Sequence, residues 1–74
     1  MGEHPRYKII IEPLSEEDGG GFLATVPDLP GCMSDGETEF EAIQNVHDAI
    51  ACWMEAAGEN GRPIPAPTVA RRGL

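Results

Sequence analysis

Thr38-Glu39-Phe40-Glu41-Ala42-Ile43-Gln44-Asn45-Val46-His47-Asp48-Ala49-Ile50-Ala51-Cys52-Trp53-Met54-Glu55-Ala56-Ala57 is the stretch that decides the fold. Ile43, Val46, Ile50, Trp53, Met54 and Ala57 recur at steps of three and four, the signature of a helix with one apolar face. Thr38 followed by Glu41 is a capping-box pattern, and Glu37, Glu39 and Glu41 complement the positive end of the helix dipole. Gly58 or Gly61 can supply the left-handed residue that ends the helix, and Arg62 lies near its negative end. Such an apolar stripe needs a surface to cover. Trp53, Met54 and Phe40 are therefore read as core material.

The segments before the helix supply that surface. Tyr7-Lys8-Ile9-Ile10-Ile11-Glu12 reads as a short β-branched strand ended by Pro13. Alternation places Tyr7, Ile9 and Ile11 on one face and Lys8, Ile10 and Glu12 on the other. Ser15 to Gly21 is a turn, and Phe22 to Val26 is a second strand with Phe22, Ala24 and Val26 facing together. Pro27-Asp28-Leu29-Pro30-Gly31 is a rigid corner, in which Pro30-Gly31 suits the centre of a type II turn. Cys32-Met33-Ser34 leaves room for a brief third strand, closed by Asp35-Gly36. After the helix, Pro63, Pro65 and Pro67 force an extended path that is expected to return as an edge strand near Thr68. The predicted fold is α+β: a two-layer β-β-β-α-β domain, its antiparallel sheet covered by one helix.

At 74 residues the chain makes one domain at most. Residues 1–5 are expected to be a flexible N-terminus, 6–68 the domain, and 69–74 a flexible tail. Burial and ordering costs nearly cancel at this size, which favours self-association. No apolar run approaches a membrane span and no signal-peptide core is visible, so a reduced, cytoplasmic setting without membrane contact is expected for Cys32 and Cys52.

Charge is unevenly distributed. The formal net charge is −8, yet Ile9 to Gly61 contains no Lys or Arg and twelve of the thirteen acids, which makes that body −12. Phosphate backbones would be repelled, so direct nucleic-acid binding is not expected. A basic protein surface would be attracted and steered to it. The plainer reading is that an acidic surface maintains solubility.

Chemistry is sparse. Gly19-Gly20-Gly21 lies beside Glu16, Glu17 and Asp18 with no Lys and no following helix, so it reads as a flexible hairpin loop, not a phosphate cradle. Cys32, His47, Cys52 and His4 match no zinc spacing; Cys32 reads as a small packed residue and His47 as a helix-face position. Asp28 and Asp35 sit in turns, where Asp bonds its own backbone. Neither a catalytic triad nor a basic groove accompanies the carboxylates, so no enzyme, metal or cofactor is expected.

Gly21-Phe22-x-Ala24-x-x-Pro27-Asp28-Leu29-Pro30-Gly31-Cys32-x-Ser34-x-Gly36-x-Thr38, continued by Glu41-Ala42, Asn45, Ala49-Ile50, Trp53 and Pro63-Ile64-Pro65-x-Pro67, closely resembles the HicB-like antitoxin domain of type II toxin–antitoxin systems. The likeness runs from Tyr7 to about Thr68. It implies a partial ribonuclease H-like fold, no catalysis, dimers or tetramers, and neutralisation of a small basic HicA-type RNA-cleaving toxin by masking its RNA-binding surface. Many such antitoxins carry a C-terminal DNA-binding module; only six residues follow Thr68, so no DNA-binding domain is expected and Arg71 and Arg72 do not replace one. Phe40 stands where the family often has an acid. The acids expected at the partner surface are Glu16, Glu17, Asp18, Asp28, Asp35 and Glu39. The alternatives are an orphan oligomeric scaffold, or a small-ligand-binding domain, without a toxin partner; a divergent metal-dependent nuclease is a third class.

Overall fold

In a computed structural model of the chain, residues 7–68 are described. Strands β1 (Ile10–Pro13), β2 (Phe22–Thr25) and β3 (Met33–Gly36) form an antiparallel sheet in the order β1-β2-β3, and α1 (Glu39–Glu59) packs on one face, chiefly over β3. The register aligns Ile11 with Ala24 and Ser34, and Pro13 with Phe22 and Gly36. Tyr7, Ala24, Val26, Leu29, Cys32, Ala42 and Val46 form the core between the layers. Ile9, Ile11, Phe22, Ala49, Ile50, Trp53 and Met54 pack around it. Period-2 alternation thus delivers the inward residues of β1 and β2 as the sequence predicts.

Local chemistry accounts for the boundaries. Pro13 is tolerated inside β1 because β1 is an edge strand and the ladder resumes one residue later, where Leu14 N–H donates to the Gly21 carbonyl at 2.8 Å. Thr38 Oγ1 accepts from Glu41 N–H at 3.0 Å, while the Glu41 carboxylate accepts from Glu37 N–H at 2.8 Å. This is a capping box shifted back by one donor. At the far end Gly61 is left-handed (φ 68°), Arg62 N–H donates to the Ala57 carbonyl and Gly61 N–H to that of Gly58. That pattern is a Schellman cap, so Gly61 and not Gly58 ends the helix.

Several expectations need correction. Tyr7 to Ile9 precede the ladder, although Tyr7 is buried. The third strand starts at Met33, because the Cys32 carbonyl is taken by Val26 N–H in closing the corner, and it continues through Asp35 and Gly36. Among the described residues, 62–68 contain no strand. Pro63, Pro65 and Pro67 offer no N–H, and Thr68 N–H donates to Asp28, not to a neighbouring strand. Phe40 is not core; it is 68% exposed, on the side of α1 away from the sheet. The expectations for residues 1–5 and 69–74, including Arg71 and Arg72, lie outside the described residues.

Candidate partner-binding surface

The sheet has two chemically distinct ends. At the Pro13–Phe22–Gly36 end, the β1–β2 connection forms one turn of 3-10 helix, Glu16–Asp18. The loop is closed by its own backbone: Gly19 N–H donates to the Glu16 carbonyl, and both Asp18 and Gly20 donate to that of Ser15. Ser15 Oγ donates to the Asp18 carboxylate at 3.0 Å. Gly19, Gly20 and Gly21 all have positive φ, which makes this tight return possible.

Two glycines let three segments converge here. A Cβ on Gly21 would stand 2.5 Å from the Gly36 carbonyl oxygen, and one on Gly36 would meet Ala42 N at 2.4 Å and Glu41 C at 2.7 Å. The loop, the end of β3 and the first turn of α1 therefore meet almost backbone to backbone, with only the Glu41 Cβ beside the contact. The convergence leaves an open hollow of about 500 Å³ lined by Gly19 to Gly21, Asp35, Gly36, Glu37 and Glu41. Asp35, Glu37 and Glu41 line it, and the exposed Glu16, Glu17 and Asp18 stand on the turn that leads into Gly19; Glu39 is exposed in the first turn of α1 but turned about 160° from Glu41. Glu37 and Glu41 read from sequence only as dipole-complementing acids; their place beside the glycine loop depends on the β2–β3 register.

Asp28 is not part of this group. It lies at the opposite end, where both carboxylate oxygens hold Thr68: Oδ2 accepts from its N–H at 2.8 Å and Oδ1 from its hydroxyl at 2.9 Å. Those bonds from Thr68, backbone first, hold the Asp28 carboxyl below its usual value of 3.8, with a smaller contribution from Lys8 opposing slight burial. The corner itself is two linked turns, with Leu29 N–H donating to Val26 and Cys32 N–H to Leu29 across Pro30-Gly31. Gly31 has φ 78°, the left-handed value a type II turn requires. Leu29 is folded fully inside, a core role the corner reading missed. Trp53 Nε1–H donates to the Pro30 carbonyl at 2.9 Å, and the Tyr7 hydroxyl donates to the Pro65 carbonyl. Burial pushes the Cys32 thiol up, so it stays protonated and inert, as its packed reading requires.

Among the described residues, no group of three or more His, Cys, Asp or Glu is placed to hold a metal ion, and no helix is long and apolar enough to cross a membrane. The chain belongs to the family described as HicB-like antitoxin of bacterial toxin–antitoxin system, whose profile matches residues 7–72. It is 33% identical over 60 residues to a UPF0150 protein of Thermoplasma acidophilum, covering 81% of this chain and 83% of that protein. It is 34% identical over 62 residues to Antitoxin HicB 1 of Photorhabdus laumondii, and 30% over 63 residues to Antitoxin HicB of Escherichia coli. Those matches cover 84% and 85% of this chain but only 38% and 44% of the two antitoxins.

Proposed function

We propose that this chain is the neutralising domain of an antitoxin, and that its acidic end binds a small basic HicA-type RNA-cleaving toxin and masks the surface with which that toxin holds RNA. Membership of the antitoxin family supports the general role. The observation that carries the specific reading is the gathering of Glu16, Glu17, Asp18, Asp35, Glu37 and Glu41 at one end. A protein that cleaves RNA needs a positive surface, and a concentrated patch of opposite sign competes for it directly. Four of the six acids expected from the sequence lie in this patch, and Glu39, turned about 160° from Glu41 around α1, does not. Nor does Asp28, because holding Thr68 already engages its carboxylate.

The domain works in this reading as a non-catalytic dimer or tetramer in the cytoplasm, without cofactor. Co-expression with the neighbouring short open reading frame tests it. The expected result is a co-purifying complex and restored growth when that reading frame alone is toxic. Absence of both a complex and rescue would remove the toxin and leave the orphan-scaffold reading.

A further inference from the structure

The flanks of α1 differ. At 100° per residue, Glu41, Asp48, Glu55 and Glu59 fall within an arc of about 40°, on the side of the buried face that Asn45 marks. Asn45 Nδ2–H donates to the Asp35 carbonyl at 2.8 Å, so this acidic flank lies toward the β3 edge. On the other side of the buried residues Ala42, Val46 and Ala57, an arc of about 80° contains Phe40, Ile43, His47, Ile50 and Met54, with no acid or base besides His47. Phe40 is 68% exposed, His47 is exposed, and Ile43, Ile50 and Met54 are half-buried.

We infer that this flank is a self-association surface, on which a second copy of the chain packs its own α1 antiparallel, about a two-fold axis at His47. Three observations select a second copy as occupant. The spacing 40-43-47-50-54 is an alternating three-and-four seam of the kind that packs helices against each other. The seam is self-complementary when reversed: Phe40 meets Met54 of the other copy, Ile43 meets Ile50, and His47 meets its own equivalent. Two bodies of strong like charge approach most readily through a face poor in carboxylates, and of the acids of α1 only Glu39 borders this arc, about 20° beyond Ile50. A basic partner would be drawn to the opposite flank instead. The seam is about 21 Å long, so the footprint is at the low end for specific interfaces, and a reversible dimer is expected. The inference specifies the surface for the self-association proposed above and is independent of toxin binding.

Sedimentation of the full chain across the micromolar range tests it, with Phe40→Asp, His47→Glu and, as a control, Asp48→Lys. The expected result is a reversible dimer, weakened at least tenfold by Phe40→Asp and by His47→Glu and not by Asp48→Lys. Helical circular dichroism and the thermal midpoint should be preserved in each variant, since all three side chains are exposed. In a Cys52→Ser background, His47→Cys should form a disulfide-linked dimer under mild oxidation. A wild-type monomer at these concentrations would overturn both self-association and the surface. A wild-type dimer unaffected by Phe40→Asp and His47→Glu would overturn the surface alone.

Discussion

The proline corner and the glycine loop lie at opposite ends of the same three-stranded sheet and are built on opposite principles. At the corner, groups distant in sequence are tied together: Trp53 to Pro30, Tyr7 to Pro65 and Thr68 to Asp28. Leu29 and Cys32 are buried there, and Lys8 is the nearby cation. At the loop, the bonds are local, the side chains are exposed carboxylates, and close approach of backbone replaces packing. Like charges held together cost stability. A domain this small can sustain such an end only if the other end is firmly closed.

Breaking the corner should have the largest effect. Leu29→Ala removes a fully buried side chain, and a loss of about 3 kcal/mol in urea unfolding is expected. A loss below about 1 kcal/mol would mean that the corner does not govern stability. Gly36→Ala attacks the other end through backbone, not charge, because its methyl would displace the first turn of α1. About 2 kcal/mol of destabilisation is expected, with weakened helix capping seen as faster amide exchange at Glu37 and Glu41. Trp53→Phe keeps the ring but forfeits the bond to Pro30, an effect of about 1 kcal/mol by thermal unfolding.

Acid should separate the ends more finely. The Asp28 carboxyl is depressed in the folded chain, so its contribution is present above the ordinary value of 3.8 and is lost as pH falls through the lower folded value. Protection of the Thr68 amide, relative to the exchange rate of a free chain at the same pH, should fall in that window, and Asp28→Asn should abolish that change. The smallest expected effect is on overall stability: moderate salt should raise the wild-type midpoint slightly by screening the acidic end, and less so after Glu17→Gln.

How much of this was legible depended on how local the cause was. The helix, its Thr38 cap and the inward faces of β1 and β2 follow from spacing alone, because each is set by neighbours within a few residues. Leu29 was not, since its burial needs two turns and a helix to meet around it. Phe40 misled because a large aromatic on an amphipathic helix is usually core, yet it lies between Glu39 and Glu41 and outside the buried arc. The tail misled because three prolines suggest extension but supply no ladder donors, and Asp28 took the Thr68 N–H a strand would have used. The charge excess was plain from the sequence. Its division into an acidic end that excludes Asp28 and gains Glu37 and Glu41 was not, because that depends on the register between β2 and β3.

The most direct test of the central claim is the association rate with the proposed basic toxin partner, measured by stopped flow at several ionic strengths. The chain would be compared with Glu16→Lys/Glu17→Lys/Asp35→Lys at one end and Asp28→Asn at the other. The account predicts a rate that falls steeply with salt, drops at least tenfold in the triple variant with most of the salt dependence gone, and is unchanged by Asp28→Asn. Equal rates for the wild type and the triple variant, in folded protein, would contradict it.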